Sequence, residues 1–231
     1  MRGRDVRLAL AAMLLACALP AAATGSSQSK DDQMRATEVW RLYHPDQHHR
    51  DRAMAAYERD EFADAYRQFL RAAYYADKPS QAALAEMLWQ GIGVERDRAA
   101  AYGWADLAAE RGYTAFLAQR ERYWSQLTDD ERARALKMGA GIYAGYGDEV
   151  AKPRLERELR KGDKWAYASV THRAYARVSL KNADGWGYTQ MVTGFYEPKY
   201  WQPRQYWQWQ DAMWQEPAGG TVRVGPLEVA P

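Results

Sequence analysis

Cysteine is almost missing from this chain of 231 residues, which holds only Cys17. That residue lies inside the apolar run LALAAMLLACAL, Leu8 to Leu19, near the N-terminus. A chain with no cysteine beyond this point forms no disulfide, so its stability must come from packing. Long apolar runs are also missing. Leu8–Leu19 is too short for a permanent bilayer span, and no later stretch is apolar enough for one. Catalytic signatures are absent as well. No serine stands in G-x-S-x-G or S-x-x-K. Gly91-Ile92-Gly93 lacks the further glycine, the lysine and the preceding strand of a phosphate loop. The acid pairs Asp31-Asp32 and Asp129-Asp130 fall in a tether and at a helix start, where the second pair complements the helix dipole. We therefore expect no enzyme and no cofactor.

The N-terminus has the layout of a secretory signal peptide over residues 1–23. Arg2, Arg4 and Arg7 precede the apolar run, Pro20 breaks it, and Ala21-Ala22-Ala23 offers a cleavage site. The expected location is periplasmic or secreted. Leu14–Cys17, LLAC, also resembles the lipobox of bacterial lipoproteins, so acylation at Cys17 is the alternative; Leu15 is bulkier than usual there. Losing the leader takes the basic residues from 32 to 29 and the acidic ones from 30 to 29. The net charge of +2 is then gone, and with it any electrostatic case for nucleic acid. Residues 24–33, TGSSQSKDDQ, read as a flexible tether.

The stretch LWQGIGVERDRAAAYGWADLAAERG, Leu88 to Gly112, carries the clearest pattern. Ala82, Ala83, Leu84, Met87 and Leu88 recur at helical spacing before Gly91, which suits the left-handed close of a helix. Gly93 turns the backbone again, and Val94 is placed to plug the gap between two helices. Asp97 is placed to cap the next helix. Ala101, Trp104, Ala105, Ala108 and Ala109 share one face of it, and Gly112 closes it. Small side chains let two antiparallel helices approach closely. At an offset of 36, Ala65 falls on Ala101, Ala72 on Ala108, Ala73 on Ala109 and Ala82 on Ala118. The segment before this hairpin is a degenerate copy. The segment after it is a third hairpin, with a Thr128–Glu131 capping box and an end at Gly145 and Gly147.

Leu84, Gly91, Gly93, Val94, Asp97, Ala101, Trp104, Ala108, Ala109 and Gly112 together resemble the pattern of a Sel1-like repeat, a relative of the tetratricopeptide repeat. Ala85 departs from it, since glycine is usual there. The resemblance implies a mainly α fold: an α-α solenoid over 34–147, whose repeat residues are structural. It also implies an adaptor that binds an envelope protein. The concave groove would be lined by the first helix of each pair, with Trp89 as a candidate contact; inter-repeat packing is the competing role for Trp89.

Residues 148–231 form an extension. A charged helix is expected from about Pro153 to Gly162. Residues 163–195 fit helix or strand spacing, with NADGWGYTQ as a loop. Eight of the twenty residues Phe195–Trp214 are aromatic. Two readings stand open. Tyr200, Trp201, Trp207, Trp209 and Trp214 could stack on sugar rings such as those of peptidoglycan. Alternatively, Pro203 starts an amphipathic helix whose Tyr206, Trp207, Trp209, Gln210, Met213 and Trp214 are core; Tyr200 and Trp201 lie outside it. Val222, Val224, Leu227 and Val229 alternate as in a short strand. The histidines His44, His48 and His49 have no partner group at metal-ligand spacing, and Pro45 interrupts them, so no metal is expected.

Overall fold

Caps and stops place the helices. Asp97 accepts from the Ala100 N–H (3.0 Å), and Asp77 from that of Ser80 (3.1 Å). Thr128 and Glu131 exchange both bonds of a capping box. Gly91 and Gly112 close their helices at φ 73° and 74°, a conformation that costs side-chain-bearing residues steric energy.

The structure is a computed structural model and describes residues 30–168, 175–181, 187–193 and 195–215. Its helices are α1 Lys30–Arg35, α2 Glu38–Tyr43, α3 Pro45–Glu58, α4 Phe62–Ala73, α5 Lys78–Gln90, α6 Arg98–Ala108, α7 Thr114–Gln126, α8 Asp129–Tyr146 and α9 Asp148–Ala168. Strands β1 Tyr175–Lys181 and β2 Gly187–Thr193 follow, then α10 Pro198–Trp201 and α11 Pro203–Gln215. The expected leader over 1–23, residues 24–29 of the tether and the strand expected at Val222–Val229 lie outside the described residues.

The helices stack as repeats. α3 pairs with α4 and α5 with α6, and α4 leans on α5. The third unit departs from the expected hairpin: α7 and α8 both lean on α6 rather than on each other. Gly103 explains that contact, since a Cβ there would meet Ile142 Cδ1 at 2.7 Å. Side chains then fix the register between units. Gln119 bonds the Ala82 carbonyl, Tyr123 bonds Glu86, Arg134 bonds Asp97, Tyr143 bonds the Asp106 carbonyl and Arg111 bonds Asp148, and every pair is 37 residues apart. Each residue thus bonds one position beyond its 36-residue equivalent. Leu84, Ala101, Trp104, Ala108 and Ala109 are buried, as the helical spacing predicts, and Val94, in the connector, is half-buried.

Gly93 does more than turn the chain. It lies at φ 67°, and a Cβ there would fall 2.4 Å from the Phe62 carbonyl carbon. The turn of the second hairpin therefore seats directly on the first residue of α4. α5 lies at the centre of the stack, and every residue from Lys78 to Trp89 is buried. This overturns the expected groove, because the first helix of the middle pair has no face on solvent.

The extension also differs from expectation in several places. Residues 30–33 belong to α1 rather than to a tether. α9 starts at Asp148 with Pro153 inside it, and neither Gly145 nor Gly162 ends a helix. Gly162 is a close-contact position: a Cβ there would lie 2.6 Å from the Trp201 ring and 2.9 Å from Tyr43 Cβ. The stretch that fitted helix or strand holds an antiparallel pair running from Tyr175↔Thr193 to Lys181↔Gly187, so part of the expected loop is strand. α11 begins at Pro203 as expected, with Tyr206 and Gln210 buried, but Met213 is exposed.

A second core joins the first and last helices of the described residues. Met34 and Trp40 pack with Leu155, Leu159, Phe195, Tyr200, Trp201 and Tyr206. α9 and α11 thereby cover the edge where successive hairpins connect. The turns inside the hairpins occupy the other edge.

Candidate binding pocket

The structure removes most of the expected contact residues from solvent. Trp89 is 7% exposed. Its ring stacks on Tyr123 at 4.1 Å, and the Arg98 guanidinium covers it at 4.4 Å. It joins two repeats and is no open contact. Tyr200 and Trp201 are each 1% exposed. Tyr200 donates to Asp31 (2.5 Å) and Trp201 to the Phe195 carbonyl (2.7 Å). Neither is available as a stacking platform. Trp207 is half-buried between Arg111 and Lys152 and donates to Glu156 (3.1 Å). The structure brings Tyr200 and Trp201 into one core and Trp89 into the other.

The connector edge carries an ionic network around a buried lysine. Lys78, with no side-chain exposure, reaches Glu110 (2.6 Å), Asp148 (3.1 Å) and the Leu107 carbonyl (3.0 Å). Burial lowers its pKa, and Asp148 and Glu110 oppose that shift. Arg111 grips Asp148 through two bonds (2.7 and 2.9 Å) and the Ala76 carbonyl (3.0 Å). Burial raises the pKa of Asp148, but Arg111, Lys78 and Lys152 together outweigh it and hold that carboxyl far below its ordinary range. Nearby, Tyr206 donates to Asp46 (2.5 Å) and accepts from Gln47 (2.9 Å). Burial and the Asp77 charge push Asp46 up to about 7. His44 stacks on Trp40 at 3.5 Å. Burial drives its pKa down to about 3. The ring is therefore neutral, and its single N–H goes to the shorter contact, Nε2 to the Tyr200 carbonyl (2.7 Å). These groups are structural, since α11 and α10 close over them.

An open pocket remains, of about 310 Å³, lined by His49, Leu70, Arg71, Tyr74, Tyr75 and Tyr146. α3 supplies His49, the last turn of α4 supplies Leu70 and Arg71, the connector supplies the two tyrosines and the end of α8 supplies Tyr146. Tyr74 is 43% exposed. Arg154 lies 3.9 Å over its ring and is pinned by the carbonyls of Gly145 (2.7 Å) and Tyr74 (3.2 Å). Tyr75 meets Tyr74 edge-on, and Tyr146 rests against Trp104 at 4.8 Å. His49 Nδ1 bonds Gln68 Oε1 (3.0 Å). Burial lowers the pKa of His49 and outweighs the Gln68 bond; the charges acting on it, His48, Arg71 and Arg52, are all basic. Burial likewise lowers that of His48, with Arg52 and Arg41 adding to the effect. Arg71 and Arg52 have no ion-pair partner among the described residues.

Sequence reasoning weighed His49 only as a metal ligand and passed over the rest. One signal was available. Tyr74-Tyr75 follows Ala72-Ala73 just past the end of α4, where helical periodicity no longer assigns either ring to a buried face.

The glycine-stopped hairpins and the 37-residue register define a helical-repeat architecture of stacked hairpins, here joined to an aromatic second core. No protein-family model matches the chain, and no curated protein does. Among solved structures the chain is similar to a protective antigen present in uropathogenic Escherichia coli strains, described as displaying an SLR (Sel1-like repeat) fold, at 22% identity and a TM-score of 0.45. The match covers 57% of this chain and 30% of that one, so the chain spans less than a third of that protein's length.

Proposed function

We propose that the chain is an exported scaffold that holds a protein partner in the bacterial envelope, and that the partner sits at the Tyr74 pocket. The observation carrying this reading is the contrast between sealed and open aromatics. Tyr200, Trp201 and Trp89 are buried, whereas Tyr74 stands 43% exposed beside Arg71, which has no ion-pair partner among the described residues. Aromatic side chains and arginine are the groups most enriched at the energetic centres of protein interfaces. No helix of the described residues is long and apolar enough to cross a membrane. Export rests on the leader, whose Arg2, Arg4 and Arg7 precede the apolar run.

Affinity capture from an envelope fraction tests the proposal. The chain should retain a defined protein that a Tyr74→Ala, Arg71→Ala double variant loses. Retention of the same proteins by both would refute the pocket assignment, and capture of none by the unaltered chain would refute the scaffold.

A further inference from the structure

We infer that the Tyr74 pocket takes an acidic peptide segment of the partner and holds it through carboxylates; this rests on the scaffold reading above. The argument is one of donor and charge inventory. The hydroxyls of Tyr74, Tyr75 and Tyr146 have no hydrogen-bond partner among the described residues. Arg71 adds a guanidinium with no ion-pair partner there, and Arg52 adds a second cation next to His48 and His49. Glu158, the acid that acts on Tyr75, is already taken by Lys161 (2.8 and 2.9 Å). The site is thus rich in O–H and guanidinium donors, and no carboxylate lines it. Its complement is an anion with several acceptor oxygens, and guanidinium–carboxylate bonds are among the stronger ones available.

Ring geometry favours a peptide over a sugar. Sugar stacking needs an open aromatic face. One face of Tyr74 is covered by Arg154, Tyr75 stands at 89° to Tyr74, and Tyr146 leans on Trp104. Tyr74 and Tyr75 therefore share no flat stacking platform. Leu70 supplies an apolar floor for the aliphatic part of a glutamate side chain, and about 310 Å³ accommodates one or two such residues.

The probe is a fluorescein-labelled hexaglutamate peptide, read by fluorescence anisotropy with the full chain at about 50 mM salt. Hexaglutamine is the neutral control. Hexaglutamate should bind, hexaglutamine should not, and Arg71→Glu should weaken binding at least tenfold. Tyr74→Phe should weaken it by a smaller factor, since that change removes one donor and leaves the ring. Lys137→Glu, an equal charge change on the exposed side of α8, should leave binding within twofold. Equal losses in Arg71→Glu and Lys137→Glu would reduce the effect to bulk charge and overturn the inference. So would equal binding of both peptides, or retention by purified peptidoglycan competed by neither. If capture from the envelope still depends on Arg71 and Tyr74 while hexaglutamate fails, the scaffold reading survives and only the peptide chemistry falls.

Discussion

Three glycines share one backbone conformation but differ in what surrounds them, and this separates two costs that mutagenesis usually mixes. Gly91, Gly93 and Gly112 lie at φ 73°, 67° and 74°. An added methyl at Gly112 meets nothing within 4 Å. Gly112→Ala should therefore cost only the left-handed conformation, about 1 kcal/mol once the stiffer unfolded chain is counted. At Gly91 the methyl would approach Arg96 Cβ at 3.2 Å, a contact that a few tenths of an ångström of movement relieves. At Gly93 it would sit 2.4 to 2.6 Å from the carbonyl carbon, oxygen and Cβ of Phe62. Backbone cannot rotate away, so overpacking of about 1–3 kcal/mol adds to the conformational cost. The expected total is about 2–4 kcal/mol. Gly162→Ala supplies the complement, a clash with Trp201 without a positive φ, and should cost about 1–3 kcal/mol. Urea unfolding followed by circular dichroism measures all four. With a slope of about 3 kcal/mol/M, Gly112→Ala should lower the midpoint by about 0.3 M and Gly93→Ala by about 1 M. Equal midpoints for the Gly93 and Gly112 variants would refute the claim that the second turn is seated on Phe62.

Other expectations follow from the buried groups. Trp89→Ala should destabilise the chain by about 3–5 kcal/mol, as for a buried tryptophan, yet leave capture of the partner unchanged below the unfolding temperature. Arg111→Met should cost about 3 kcal/mol in urea unfolding, because it strips Asp148 of its bidentate partner and leaves Lys78 and Lys152 to hold it. The pH profile should carry two opposed slopes. Asp46 titrates near 7 when folded and near 4 when unfolded. Its contribution is present below the ordinary carboxylate range and is lost as pH rises toward 7. His44 titrates near 3 when folded. Its contribution is present above about 6.5 and is lost as pH falls through the acid range. The two oppose each other between about pH 4 and 6.5. Asp46→Asn should unmask the histidine and give stability that rises with pH up to about 6.5; an unaltered profile would show that Asp46 is ionised throughout.

The residues differ in how readily their roles could be read from the sequence. Gly91, Asp97, Gly112 and the Thr128–Glu131 box act within one turn of the chain, so local spacing revealed them. Trp104, Ala101 and Ala108 followed from helical periodicity, which reports which face is buried. Periodicity cannot report whether the opposite face is buried as well, and that is why Trp89 looked available: α5 is covered on every side. Gly93 and Gly162 contact Phe62 and Trp201, partners tens of residues away, and nothing local marks those contacts. The pocket was the least legible feature. His49, Arg71, Tyr74 and Tyr146 meet only because the end of α8 returns beside α4, a consequence of α8 leaning on α6 instead of on α7.

The enclosure of α5 has a thermodynamic consequence. In a linear array, each repeat touches its neighbours through one interface, and terminal units fray independently. Here the middle helix contributes Lys78 to a charge cluster with Glu110 and Asp148, Glu86 to Tyr123 and the Ala82 carbonyl to Gln119. Releasing either flanking unit would strand those polar groups against an apolar surface. The stack should therefore melt in a single step rather than unzip, and a fragment containing only the central hairpin should not fold.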